Sequence, residues 1–276
     1  AGLTGAPQPS LLDADETLQM TDRAVVMARG LGRRMRRADA GAALDLDQKR
    51  VADSGAKALV PVGRPFLDHV LTQVADAGFR RVCLVVGPDP DPVRGYCSEL
   101  ALERLAFEFA VQDEPRGTAD AVAAAADCIG DDPFVVINSD NHYPAEALSA
   151  LRLVEGPGLV GFVRDGLVAG GIPADRVSGY AVIEADENGF LDGIVEKPTP
   201  EKVATLASPV RVSMNCWRFG AGFLDCCRAV APSPRGELEL PDAVRDAIIL
   251  EAGCIFCCGS LWFECGTVRA LLARGE

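Results

Sequence analysis

Ala24-Val25-Val26-Met27-Ala28-Arg29-Gly30-Leu31-Gly32-Arg33-Arg34-Met35 is the stretch on which the fold turns. It begins as a short run apolar at successive positions, the mark of a strand covered on both faces. It ends rich in glycine and arginine, in a chain whose formal net charge is −13. A strand opening into such a loop presents successive backbone N–H groups, which cradle phosphate. Arg33, Arg34, Arg36 and Arg37 add a local basic cluster. A tight turn with a solvated basic face is the competing explanation. Two other phosphate loops do not fit: no Gly-Lys-Ser/Thr follows, and Met35 stands where a dinucleotide motif needs its third glycine.

Beyond that stretch, apolar runs at 81–86, 106–111, 134–138, 159–163 and 179–184 alternate with helical patterns at 65–77, 98–104, 118–128 and 145–153. Such alternation predicts an α/β fold, a Rossmann-like mixed, mostly parallel sheet flanked by helices. A strand at 180–184, the turn Asp186-Glu187-Asn188-Gly189 and a strand at 191–195 form a hairpin signal. Segments 210–219 and 253–263 and a helix over 268–273 are expected to complete the same sheet. Residues 1–22 are polar and turn-rich, with a short helix over 11–18. The fold is expected to begin near Met20, with 1–22 an N-terminal extension and 23–276 a single domain.

Composition narrows the function. At 49% hydrophobic and 24% charged the chain is neither disordered nor collagen-like. No apolar run reaches ~18 residues, so no membrane-spanning helix is expected. The acidic balance argues against nucleic-acid backbone and anionic membranes as partners. Ten cysteines in 276 residues are too sparse for a disulfide scaffold. Cys254 and Cys257 have a metal-type spacing, but no second pair follows. The cysteines are read as small hydrophobes on strands. No basic start and apolar stretch marks a secretory signal, so the cytoplasm is the expected location.

Five further segments carry chemistry: Lys57-Ala58-Leu59-Val60-Pro61-Val62, Gln112-Asp113-Glu114-Pro115-Arg116-Gly117-Thr118, Asn138-Ser139-Asp140-Asn141, Glu196-Lys197-Pro198 and Trp262-Phe263-Glu264-Cys265-Gly266-Thr267. Asp140 follows an apolar strand, at the end where parallel α/β sheets bind ligands. Gln112 offers an amide, with one donor end and one acceptor end. Taken in order with the glycine-rich loop, these segments resemble the sugar-1-phosphate nucleotidyltransferases, from about residue 23 to 272.

The resemblance implies the nucleotide-diphospho-sugar transferase fold, with a nucleotide half near 23–145 and a sugar-phosphate half near 146–276. It implies Arg34, Lys57 and Lys197 as the catalytic cations. Nucleotide binding would fall to Met27, Ala28, Gly30, Gly32, Gln112, Gly117 and Thr118. Gly117 would let the backbone approach the base, and a cap on its own helix is the structural alternative for Thr118. Sugar binding would fall to Ala181, Glu196 and Asn215, and Mg²⁺ to Asp140 and Glu264. Several positions depart from the family pattern. Glu264 replaces aspartate, Arg29 a glycine, Arg33 a threonine, Ala58 a proline, Ser139 a glycine and Ala181 a glycine.

The reaction so implied joins an NTP, by Gln112 UTP or dTTP, to a sugar 1-phosphate and releases pyrophosphate. Guanylyl or cytidylyl transfer to mannose, heptose or cyclitol phosphates stays open, as does a non-catalytic nucleotide-sugar sensor. Homo-oligomerisation stays open too. A dinucleotide oxidoreductase fits less well, because Gly87-Pro88 rather than an acid follows the second strand.

Overall fold

The computed structural model describes residues 20–30, 56–100, 103–187 and 189–249, with the backbone of Phe256–Cys257 and Gly266–Thr267. Strand β1 (Arg23–Met27) is buried at all five positions. Val26 faces one apolar cluster and Val25 the other, so helices must cover both sides. A 3₁₀ turn (Lys57–Leu59) and the short strands β2 (Pro61–Val62) and β3 (Arg64–Pro65) lead into helix α1 (Phe66–Asp76). Helix α1 buries Phe66, Leu67, Val70, Leu71 and Val74, at helical spacing, on the Val26 side.

Next come β4 (Arg81–Val86), α2 (Pro92–Glu99), β5 (Ala106–Val111), α3 (Thr118–Ala124), α4 (Ala126–Ile129), β6 (Phe134–Asn138) and β7 (Asn141–His142). Strand β1 pairs in parallel with β4 and β6, and β4 with β5. The chain continues through α5 (Ala145–Leu153), β8 (Gly158–Val163), α6 (Arg164–Ala169), α7 (Ala174–Val177), β9 (Val182–Ala185), β10 (Leu191–Val195) and α8 (Pro200–Ala204). It then forms β11 (Arg211–Phe219), α9 (Phe223–Ala229), α10 (Leu240–Ile249), β12 (Phe256–Cys257) and β13 (Gly266–Thr267). Among the described residues the main sheet has nine strands, ordered β10-β9-β11-β6-β1-β4-β5, with β8 paired to β11 and β12 to β8.

Strand β11 makes the sheet mixed, running antiparallel to β6, β8 and β9. Its register shifts between Ser213 and Trp217, so its first half lies between β8 and β9 and its second between β8 and β6. Trp217, fully buried, stacks on Phe219, which stacks on Phe223 of α9. The α/β reading therefore holds, as do the runs 81–86, 106–111 and 134–138 and the hairpin of β9 and β10.

Local boundaries needed correction. The helix expected at 98–104 is α2, earlier in the chain. Asp91 caps it, its Oδ1 accepting from the N–H groups of Val93 and Arg94, and Pro92 takes the first turn. The pattern at 118–128 breaks at Ala125 into two helices. The strand expected at 179–184 begins only at Val182. Helices α6 to α10 went unanticipated. Buried Cys83 and Cys216 lie on strands as expected, whereas buried Cys97, Cys128 and Cys227 lie on helices. The segments 1–19, 258–265 and 268–276, with their expected helices, lie outside the described residues. Among the described residues no helix is long and apolar enough to cross a membrane.

Candidate active site

The parallel strands β1, β4 and β6 all end on one edge of the sheet, and a cavity of about 400 Å³ opens there. Met27, Ala28 and Gly30 form its floor at the end of β1. Two backbone bonds tie that floor down: Ala28 N–H donates to Val85 O, and Ser139 N–H to Met27 O. Asp140 stands just past β6, and its Oδ2 lies 3.4 Å from the Lys57 ammonium. The cation and the anion expected to handle phosphate and metal thus meet across one cavity. Asp140 is the hard oxygen donor Mg²⁺ requires, and this ion usually takes one or two carboxylates beside phosphate oxygens and water. Among the described residues, no group of three or more His, Cys, Asp or Glu is arranged to hold a metal ion. Asp140 beside Lys57 therefore fits a metal shared with a phosphorylated ligand.

Gln112, only 4% exposed, lines the same cavity. Its Nε2 donates to Gly117 O at 3.0 Å and to Asp120 Oδ2 at 2.7 Å. Both amide hydrogens are spent inside the protein, which leaves the Oε1 acceptor to act in the cavity. The expectation of a donor and an acceptor on one base edge is narrowed accordingly. Gly117 meets a packing requirement besides the one foreseen. A Cβ there would sit 2.3 Å from Leu238 O, so glycine is required by the backbone packed behind it. Thr118 does not cap its own helix, whose cap residue is Gly117. Its hydroxyl instead accepts from Leu240 N–H at 2.8 Å, capping α10.

The residues expected to bind sugar lie on β11 or just beyond the ends of β9 and β10. Val195 pairs with Val182, which sets Glu196 beside Ala181, and Ser213 N–H donates to Ala181 O. Asn215 sits in the β11 irregularity and lines the cavity, whereas Ala181, Glu196 and Lys197 are not on its wall. Lys197 and Asn215 both have positive φ, 46° and 57°. Burial chiefly, and then the Glu239 carboxylate, push the Glu196 carboxyl above its ordinary range, against Arg235 and Lys197. Arg34, Gly32 and Glu264 lie outside the described residues. Gly266, two positions after Glu264, pairs with His142, two positions after Asp140.

The family described as "Nucleotidyl transferase" matches residues 51–275. The chain belongs to this nucleotidyl transferase family. It is 31% identical over 236 residues, 82% of its length, to a glucose-1-phosphate thymidylyltransferase of Streptomyces antibioticus. It is 33% identical over 214 residues, 73% of its length, to the bifunctional protein GlmU of Agrobacterium fabrum. The chain covers 57% and 43% of those two proteins' own lengths. The solved structure of a UDP-glucose pyrophosphorylase complexed with UDP-glucose shares the fold. Its TM-score is 0.69 at 18% identity, over 93% of this chain and 97% of that one.

Four residues of this nucleotidyl transferase that matter to the site were missed or undervalued in sequence. Arg29 donates to Gln112 O at 3.0 Å, tying the glycine loop to the Gln112 segment. Asp120 holds the Gln112 amide. Arg235 ion-pairs with Glu239 and reaches Glu196 at 3.8 Å. Glu237 lines the cavity. The signal for the last two was the charged Arg235-Gly236-Glu237-Leu238-Glu239 just after the prolines 232 and 234, a turn-rich place where loops carry function.

Proposed function

We propose that this chain joins an NTP to a sugar 1-phosphate, giving an NDP-sugar and pyrophosphate. The observation that carries this reading is the single cavity in which Lys57, Asp140 and Gln112 meet Asn215 of the sugar-side wing. Residues 23–145 serve the nucleotide and 146–276 the sugar phosphate, within one domain. A sugar-phosphate oxygen attacks the α-phosphorus as the bond to the bridging oxygen breaks, and pyrophosphate leaves with the electron pair. The protein aligns the two phosphates and offsets their charge.

Lys57 and Arg34 hold the triphosphate, and Lys197 the sugar phosphate. Asp140 and Glu264 hold Mg²⁺, which when bound supplies neutralisation of the triphosphate oxygens. Glu196 and Asn215 take sugar hydroxyls, with the Ala181 N–H beside them.

For the base, Oε1 of Gln112 accepts from the N3–H of uracil or thymine, so UTP or dTTP is the donor. The names of the similar proteins, a thymidylyltransferase and a UDP-glucose enzyme, support a pyrimidine. Guanine N1–H is also a donor, and a guanylyltransferase is the competing outcome. Pyrophosphate release with Mg²⁺, each NTP and a panel of sugar 1-phosphates tests the proposal. UTP or dTTP is expected to exceed GTP at least tenfold in kcat/KM. Absence of release with every pair, despite nucleotide binding, would favour a sensor.

A further inference from the structure

We infer that Asp120 decides which atom of Gln112 faces the base, and so sets the nucleotide preference of this chain. The inference rests on the nucleotide reading above and assigns a positioning role, since Asp120 acts through Gln112. A primary amide is nearly symmetric in shape, so only its partners determine which end points where. Around Gln112 those partners are Gly117 O and Asp120 Oδ2, and neither can donate. Turning the amide over would set Oε1 against a carbonyl and a carboxylate. Asp120 is itself fixed, its side chain 12% exposed and its other oxygen 2.5 Å from the Arg116 guanidinium.

A bland role for Asp120 also exists. It sits in the first turn of α3, where an acid complements the helix dipole. That role predicts a change in stability with no change in base preference, and this difference makes the inference testable.

In Asp120→Asn one oxygen must serve both Arg116 and Gln112. With the guanidinium on the Asn oxygen, the Asn nitrogen faces Gln112 and opposes Nε2, so Gly117 O alone still holds the amide and the orientation that presents Nε2 to the cavity becomes populated. A base with an acceptor at N3, cytosine, then gains on uracil. Asp120→Ser, which removes the carboxylate, should flatten the preference instead. Arg116→Gln keeps Asp120 on Gln112 and should leave the preference within twofold.

The experiment measures kcat and KM for UTP, dTTP, CTP and GTP in wild type and the three variants, with Tm of each protein alone and with each nucleotide. The UTP-to-CTP ratio of kcat/KM should fall about tenfold in Asp120→Asn, through KM for UTP, as expected for one misdirected hydrogen bond. The Tm increments produced by UTP and CTP should move in the same sense, whatever the turnover. If Asp120→Asn does not fold, Asp120→Ser carries the test. An unchanged ratio in the folded variants, or a wild type that prefers CTP, overturns the inference alone. A wild type that neither turns over nor is stabilised by any NTP overturns the functional reading and this inference with it.

Discussion

Strands β1, β4 and β6 run parallel and regular, with the expected nucleotide groups just past their ends or opposite them across the cavity. Strands β9, β10 and β11 run antiparallel, β11 shifts register, and the expected sugar groups sit on irregular backbone. Both non-glycine residues with positive φ among the described residues, Lys197 and Asn215, lie in this wing. Triphosphate and base can be met by charges and an amide where any parallel sheet opens. The wing instead holds side chains in backbone that costs about 1–2 kcal/mol per residue, and its surroundings must enforce it. At Asn215 the enforcement is visible. The buried Tyr143 hydroxyl donates to Met214 O at 2.6 Å and accepts from Asn138 N–H and Asn141 Nδ2, bolting the bulge to β6.

The contrast breaks hardest at Asp140. Asp140→Asn should lower kcat by about 10²–10³-fold, the usual cost of one preorganised electrostatic stabiliser. Its fold should persist, because the partly exposed pair with Lys57, at 3.4 Å, contributes only about 1 kcal/mol. Steady-state pyrophosphate release beside a urea titration reads both, and near-wild-type turnover would remove the metal role.

A smaller effect is expected at Gly117, where the regular half depends on close packing. Gly117→Ala forces a Cβ against Leu238 backbone at φ 135° and should cost about 1–3 kcal/mol in urea unfolding, with a raised KM for UTP. Gly95→Ala meets nothing within 4 Å inside α2 and should stabilise by about 0.5–1 kcal/mol. Equal outcomes for the two glycines would mean that the Leu238 contact does not matter.

The same contrast explains what was legible in the sequence. Doubly buried strands announce themselves by composition, and β4 and β6 have the boundaries their apolar runs suggested, as does the edge strand β5. The places of Asp140 and Gln112 at the cavity were legible because each follows the end of an apolar strand, and that of Lys57 from its motif alone. The meeting of Lys57 with Asp140 was not, since 83 residues separate them and only folding brings them together. The short helices α6 to α8 have four to six residues each, too few for a 3.6-residue period to register. Asp120 was illegible for another reason, since it acts through Gln112, eight positions away across the turn at Gly117. Arg235 carried a local signal, but its reach to Glu196 did not, because folding alone brings that partner in.

Asn215 sharpens the comparison at about 1 kcal/mol. Asn215→Ala should lose roughly that much stability, because alanine tolerates left-handed backbone poorly, whereas Asn215→Gly should not. Both should raise KM for the sugar phosphate and leave KM for the nucleotide within twofold. If Ala and Gly are equally stable, the bulge relaxes and its backbone is not enforced.

The smallest effect concerns Glu196, where recognition and stability oppose each other. Burial and Glu239 raise its pKa in the folded chain above the unfolded value. Between those two values the folded state holds more protons than the unfolded state, so stability falls as pH rises through that window and stays lower above it. Glu196→Gln removes this dependence without removing bulk, and Arg235 keeps Glu237 and Glu239 as partners. Tm of Glu196→Gln should therefore exceed wild type at pH 7, with the difference closing as pH falls towards the ordinary carboxylate range. The same variant should raise KM for the sugar phosphate at pH 7, because an ionised acceptor of hydroxyls is lost. The acid limb of the wild-type kcat/KM profile for the sugar phosphate should also disappear. A Tm difference that is the same at every pH would mean that Glu196 is not held ionised against its environment, and the opposition between affinity and stability in the wing would fall.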